Sequence, residues 1–430
     1  MRIVQLIPGT GGTFYCQNCM RDGALVRGLR GHGADVTLVP MYLPLNVDAE
    51  GLEDHAPVFF GGINVFLQQK SALFRKTPRW LDRVFDSDWM LKQAAAREGS
   101  TRASSLGPMT LSMLQGRQGN QLKEIERLSA WLKDHEKPDL LHASNSLLLG
   151  VATELKRDLG IPLVCTLQDE NTWLDAIPDP HGRQCWETMS ECAREVDAFI
   201  AVSKWYADEM SGRMSIPREK MTVVPVGMEF DGVDPVSAPH NPPTIGYLSR
   251  MTKSLGLGLL VDAFIDLKKA GSIKELKLRL TGGRTAEDAA FVEHLESELS
   301  RHGLREDVEF VDEFDKAARH DFLRSLSVLS VPAPEGGAFG TFIIEALACG
   351  VPVVQPAAGA FPEIIETTGG GRLYDPNSEN GLRTALEQVL LDPARAHEMG
   401  LRGREAVLKA YSVEAVLPKM LGLYQRLVTS

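Results

Sequence analysis

The stretch from 328 to 365, VLSVPAPEGGAFGTFIIEALACGVPVVQPAAGAFPEII, constrains the fold more than any other part of the chain. An apolar run at 328–332 reads as a buried strand, and Gly336, Gly337 and Gly340 break it into a loop. Residues 341–349 then read as a helix stopped by Gly350, and 351–354 as a second apolar strand. Glycines between a strand and a helix start let bare amides approach an anion, and the helix dipole adds positive potential there. Glu335 in the loop and Glu345 in the early helix put carboxylates beside those amides. Amides suit a diphosphate and carboxylates accept hydrogen bonds from sugar hydroxyls, so the pairing points to a nucleotide-sugar site.

The same alternation runs through the rest of the chain. Apolar runs at 3–7, 36–40, 140–143, 163–167, 199–202 and 223–226 alternate with helical patterns. Further runs follow at 244–248, 276–280, 308–311, 328–331 and 351–354. Such alternation is the mark of the α/β class, here two doubly wound, Rossmann-like domains with parallel sheets covered by helices. Residues 231–243 hold four prolines in 13 positions and read as a linker. The expected organisation is a first domain over 1–230, with a helical insertion at about 61–121. A second domain covers 244–410 and a terminal helix 411–430.

With 430 residues, 43% hydrophobic and 24% charged, the chain can bury a core in each domain. A net charge of −11 argues against nucleic acid as the main partner. No apolar run approaches the ~18 residues of a membrane span. The opening MRIVQLIPGTGG reads as a strand start rather than a secretory leader. Six scattered cysteines read as thiols of a reducing compartment, the cytoplasm by default.

Through the runs Ala-Cys-Gly-Val-Pro-Val-Val (348–354) and Gly-x-x-Pro-Glu (359–363), this segment resembles the donor motif of the retaining, GT-B-fold glycosyltransferases of family 4 (glycosyl transferases group 1). The resemblance covers nearly the whole chain. It implies two domains facing a cleft, with the last helix crossing back to the first domain. The family's ribose-holding glutamate falls on Glu345, and Glu345→Ala is expected to cut nucleotide affinity without unfolding. The sugar-holding glutamate falls on Glu335, although the family spaces the two eight apart and here they are ten apart. Either the loop is two residues longer, or Gly337 takes the first position and the contact is lost.

Gly337, Ala338, Phe339, Gly340, Thr341 and Glu363 complete the donor set that the resemblance implies. Gly11 and Gly12 match the family's glycine pair after the first strand, and Gly282 and Gly283 its nucleotide-facing glycines. The family places an Arg and a Lys, five apart, on the departing diphosphate. Arg250 fits; Leu255 stands five residues on, so Lys253 serves only in a shorter loop. No protein nucleophile is obligatory in such a transferase: the leaving diphosphate accepts the proton of the incoming hydroxyl on the same face. The reading demands no metal and no cofactor, the nucleotide sugar being the donor substrate.

Two positions depart from the family. Many members carry a His after the strand matching 163–167, where this chain has Gln168. Gln donates and accepts hydrogen bonds but cannot share a proton as His does. Asp169 or Glu170 could substitute, Glu170 being preferred. His142 is a candidate on the acceptor side, against the ordinary alternative of a satisfied structural histidine. Ser203 reads as a helix N-cap.

Cys16-Gln17-Asn18-Cys19 invites a zinc or redox reading. A structural zinc wants a second ligand pair, which Cys185 and Cys192 fit poorly. A thioredoxin-type pair wants to follow a strand directly, whereas Thr13, Phe14 and Tyr15 intervene. Residues 14–21 read instead as the entrance of the first helix, lining the acceptor side.

Acceptor identity is the least legible part. Residues 59–64, with Phe60 and Asn64, resemble the acceptor-side loop of starch and glycogen synthases. Between 70 and 120 stand nine Lys/Arg against four Asp/Glu in an otherwise acidic chain. The basic residues of 70–97 alternate with aromatics, as in a helix lying on an anionic membrane and presenting a lipid-linked acceptor. A helical lid is the competing and preferred reading. The expected function is a metal-independent, retaining transfer of a hexose-type sugar from a nucleoside-diphosphate sugar to a saccharide or lipid-linked saccharide. Alternatives are a catalytically decayed relative that only binds nucleotide sugars, and a sugar-nucleotide epimerase of the same fold.

Overall fold

A computed structural model describes residues 1–9, 14–42, 52 and 103–429. The chain divides into two compact units. One comprises Met1–Gly12, Asn18–Gly227 and Val416–Ser430, the other Thr13–Gln17 and Met228–Ala415.

In the first unit β1 (Arg2–Ile7), β2 (Asp35–Pro40), β3 (Leu140–Ala143), β4 (Leu163–Leu167), β5 (Ala198–Ala201) and β6 (Met221–Val223) form one sheet. Its order is β2-β1-β3-β4-β5-β6, and every pairing is parallel. The chain direction across the sheet reverses between β1 and β3, the place where doubly wound sheets present ligand-binding loops. Parallel strands covered on both faces cannot alternate polar and apolar residues. Accordingly Ile3, Val4, Leu6 and Ile7 of β1 are each at most 1% exposed, and β4 is buried throughout.

The second unit holds β7 (Thr244–Leu248), β8 (Lys277–Thr281), β9 (Val308–Phe310), β10 (Val328–Leu329), β11 (Val353–Pro356) and β12 (Gly371–Tyr374). The order β12-β11-β10-β7-β8-β9 is again all parallel, with its reversal between β7 and β10. The helix Thr341–Ala348 is buried along its whole length, which is why its sequence is apolar all round. Each Ile, Leu or Phe buried there contributes about 1.5–3 kcal/mol by removal from water.

The strands predicted from apolar runs are present, with displaced ends, while most of the expected helical insertion at 61–121 lies outside the described residues. β11 starts two residues later than expected, because residues 350–352 still turn out of the preceding helix. β10 keeps only two residues; beyond it Ala333 N–H closes on the Val331 carbonyl and the backbone leaves the ladder. β12 was not expected: Gly-Arg-Leu-Tyr is an edge strand with no fully buried residue, too polar to register as an apolar run. Ser203 is the N-cap of Lys204–Met214, its Oγ accepting from Tyr206 N–H at 3.0 Å.

Candidate functional site

Within the second unit the sequence-selected donor residues gather beyond the C-terminal ends of β7, β8 and β10, three adjacent strands at the reversal of the sheet. Arg250 follows β7. Its Nε donates to Asp288 Oδ2 at 2.8 Å and its Nη2 to Thr285 Oγ1 at 3.0 Å. Burial alone pushes the Asp288 carboxyl up, but the hydrogen bonds from Arg250 and Thr285 outweigh it and hold the group below its usual 3.8. Neither partner of Arg250 was singled out from sequence. Lys253 is exposed in the turn beyond.

Gly282 and Gly283 follow β8. Gly282 has φ +116°, and a Cβ there would lie 2.4 Å from the Ser249 carbonyl oxygen, so only glycine fits. In the loop after β10, Gly336 (φ +72°) is pressed on the Ala358 backbone, and Glu335 is exposed with no hydrogen bond among the described residues. Ala338, Phe339 and Gly340 are buried, Gly337 less so, and Thr341 opens the buried helix. Glu363 lies in the first turn of Phe361–Thr368.

A carboxylate on a wholly buried helix needs partners. Glu345 is 3% exposed, and its Oε1 accepts from Nε of Arg319 at 2.9 Å; Arg319 is itself 2% exposed. The hydroxyl of Tyr15 donates to its Oε2 at 2.5 Å. Arg319 comes from the helix Lys316–Arg324, whose pattern KAARHDFLR reads as a surface helix and gives no hint of a buried cation. Burial, with the Glu345 charge behind it, pushes the Cys349 thiol up to about 12, so this cysteine is unreactive filling.

Residues 14–17 lie on these same groups. Phe14 bridges Gly283, Tyr15 N–H donates to the Gly282 carbonyl at 2.9 Å, and the Arg250 guanidinium stands 5.2 Å over the Phe14 ring. Gln17 Oε1 accepts from the Thr341 N–H at 2.9 Å, the first amide of the buried helix. Residues 14–17 therefore touch the groups that the resemblance assigns to the donor, whereas the sequence placed 14–21 on the acceptor side. Tyr15 was missed because one tyrosine in a loop carries no pattern.

Cys16 and Cys19 form a disulfide, correcting the reading of all six cysteines as reduced thiols. The first helix begins at Gln17, so the pair does stand at a helix N-terminus; of the intervening residues that argued against this, Phe14 bridges Gly283 and Tyr15 donates to Gly282.

In the first unit, Arg21, Asp22, Ser144 and Gln168 meet near the β1/β3 reversal. Arg21 Nη2 donates to Asp22 Oδ1 at 2.5 Å and to Ser144 Oγ at 3.0 Å, Ser144 Oγ donates to Asp22 Oδ2, and Gln168 Nε2 donates to the Ser144 carbonyl at 2.7 Å. Burial raises the Asp22 pKa against the lowering effect of Arg21. Arg21 Nη1, Asn145 Oδ1, Ser146 Oγ and Gln168 Oε1 are buried and have no hydrogen-bond partner among the described residues. Arg21 and Asp22 were not expected; on a helix they look like ordinary surface charges.

Two expectations fail here. Glu170 is 1% exposed, and both its oxygens are engaged, by Ser146 N–H at 2.9 Å and by Gln168 N–H and Tyr206 Oη at 2.7 Å. It braces the loop and touches no open space. His142 is fully buried on β3, between Thr166 Oγ1 at 2.7 Å and Tyr424 Oη at 2.9 Å. Burial, then the charge of Arg21, lowers its pKa to about 3. It is a neutral link between β3 and the helix Val413–Thr429, not an acceptor contact.

Gly11, Gly12, Phe60, Asn64 and the basic stretch 70–97 lie outside the described residues, as does Asp86-Ser87-Asp88, an Asp-x-Asp pair that the sequence reading passed over. Among the described residues no helix is long and apolar enough to cross a membrane.

Comparison with known proteins accords with this arrangement. The family described as "Glycosyl transferases group 1" matches residues 233–406, and "Glycosyl transferase 4-like domain" matches 23–227. A D-inositol 3-phosphate glycosyltransferase of Xylanimonas cellulosilytica is 25% identical over 58% of this chain, an alignment spanning 61% of that relative's length. Sucrose-phosphate synthase from Thermosynechococcus elongatus superposes with a TM-score of 0.72 over 100% of this chain and 99% of its own, at 18% identity. Anabaena HepE in complex with UDP and glucose superposes at 0.70 over 99% of both chains, at 16% identity. The chain belongs to the GT-B-fold glycosyltransferases of the group 1, family 4 type.

Proposed function

We propose that the protein transfers a hexose-type sugar from a nucleoside-diphosphate sugar to a hydroxyl of a saccharide or lipid-linked saccharide, with retention and without a metal. One observation carries the reading: Arg250, Gly282, Gly283, the Thr341 amide and Glu345 all lie within reach of the four residues 14–17. Four extended residues span about 13–14 Å. A cation, a helix-start amide and a carboxylate in so small a volume suit a diphosphate next to a ribose.

Arg250 would neutralise the diphosphate as it leaves, with Lys253 adding charge from its exposed turn. Glu345 would hold the ribose hydroxyls, and Glu335 or the Gly337 backbone the sugar. The departing phosphate would take the proton of the attacking hydroxyl on the face it vacates. On the acceptor side, Arg21 Nη1, Asn145 Oδ1 and Gln168 Oε1, unpartnered among the described residues, offer one donor and two acceptors, a set suited to polyol hydroxyls. The cytoplasm, where nucleotide sugars are held, is the proposed compartment.

Incubation with a panel of nucleotide sugars tests the reading. Slow donor hydrolysis giving the free sugar in the donor's own anomeric form is expected. Tight nucleotide binding without any turnover would instead identify a decayed relative, and interconversion of two nucleotide sugars an epimerase.

A further inference from the structure

Five of the proposed donor-side groups, Arg250, Gly282, Gly283, the Thr341 amide and Glu345, are already in contact with residues 14–17. Glu345 Oε2 is taken by the Tyr15 hydroxyl and the Thr341 amide by the side-chain oxygen Oε1 of Gln17. The Gly282 carbonyl is taken by the Tyr15 amide, and the Arg250 guanidinium is covered by the Phe14 ring. The hydroxyl stands where a ribose hydroxyl would donate, and the amide oxygen of Gln17 where a phosphate oxygen would accept. A nucleotide cannot occupy these groups while the segment does. The Cys16–Cys19 disulfide is set in this same segment, one half-cystine between Tyr15 and Gln17 and the other in the first turn of the helix Gln17–Gly31.

We propose that residues 14–17 are a plug on the donor groups and that the Cys16–Cys19 disulfide is its redox catch, so that the oxidised protein excludes nucleotide and the reduced protein admits it. This rests on the donor reading above. The disulfide ties Cys16 to the helix, so Tyr15 and Gln17 are held on either side of it with little freedom to leave. Once the bond is open, the segment regains the conformational freedom of an ordinary loop, and leaving its contacts becomes favourable when nucleotide replaces them.

Reduction requires a dithiol of the thioredoxin class. Its thiolate attacks the Cys16 sulfur, the half-exposed one, Cys19 being 8% exposed. The Cys16–Cys19 bond breaks, and the electron pair leaves with Cys19 as a thiolate beside the first amides of the helix. The second thiol of the reductant then attacks the mixed disulfide, releasing Cys16 and forming the reductant's own disulfide. Two electrons and two protons end on the protein as two thiols. An oxidised dithiol or glutathione disulfide reverses the exchange. Disulfides kept in a reducing compartment are commonly redox-sensing ones, which is the use assigned here.

The test compares the air-oxidised protein, the same protein after dithiothreitol, and the Cys16→Ser/Cys19→Ser variant. Hydrogen exchange at the Tyr15 and Thr341 amides reads the plug directly, and titration with UDP and with GDP reads the donor groups. Exchange at both amides is expected to quicken at least tenfold on reduction, with a matching gain in nucleotide affinity and the same behaviour in the serine variant. Identical exchange and affinity in oxidised and reduced protein overturn the proposal, as does a count of six free thiols in the air-oxidised protein. Quickened exchange with neither nucleotide bound in either state supports the catch and overturns the donor reading instead.

Discussion

Arg319 and Glu345 form an ion pair at 2.9 Å with side chains only 2% and 3% exposed. The pair ties the helix Lys316–Arg324 to the buried helix Thr341–Ala348. Removing one partner of such a pair strands the other charge, at a cost of about 3–5 kcal/mol. Glu345→Ala is therefore expected to lower stability by that order, which revises the expectation from sequence that it would not unfold the protein. Urea unfolding measures it, and equal midpoints for parent and variant would refute the pairing.

Glu345→Gln keeps the shape and a carbonyl for Arg319 while giving up the charge. We expect it to weaken nucleotide binding about tenfold, the effect of ~1.4 kcal/mol, in a variant that stays folded under assay conditions. Calorimetric titration of the folded variant checks this, and unchanged affinity removes Glu345 from the ribose assignment.

Tyr15→Phe retains the ring that Arg319 covers, with its guanidinium 5.8 Å from the ring centre, and removes only the hydroxyl on Glu345. A hydrogen bond to a charged group contributes about 1.5–3 kcal/mol. Nucleotide affinity of the oxidised protein is expected to rise about tenfold or more. A fall in affinity would show that the tyrosine assists the nucleotide rather than excluding it.

Arg250 and Asp288 set an acid limit on the second unit. The Asp288 pKa is lower folded than unfolded, so the stabilisation is complete above 3.8 and disappears as pH falls through the folded value. Asp288→Asn should thus be less stable than the parent at pH 7, and the two should converge in strong acid. Arg250→Ala is expected to lower kcat/KM by about 10²–10³, with Arg250→Lys recovering little because a point charge lacks the fork. Full activity in the lysine variant would count against the phosphate role.

His142 works over a different range. Its folded pKa of about 3 lies below the ordinary 6.5, so its contribution is whole above 6.5 and erodes as the solution is acidified toward 3. The slope approaches about 1.4 kcal/mol per pH unit. Asp22 and Glu170, whose pKa values are raised, titrate in the opposite sense, so the difference between parent and His142→Gln isolates the histidine. Stability curves of the two between pH 7 and 4 should draw together as pH falls; parallel curves would show that His142 takes up its proton in the folded protein as readily as in the unfolded chain.

By itself the sequence determined the two parallel sheets, their helices and the strand ends that carry Arg250, Gly282 and the loop before Thr341. Strand identity follows from short apolar runs and glycine placement, both local properties of the chain. Only the tertiary structure decided which side chains meet. Arg319 and Tyr15 join Glu345 from 26 and 330 residues away, and no periodicity marks a residue for a partner so distant in the chain. The same blindness made Glu170 and His142 look like site residues: a strand end brings a side chain near a ligand position, but packing decides whether it opens toward it or is consumed by its neighbours.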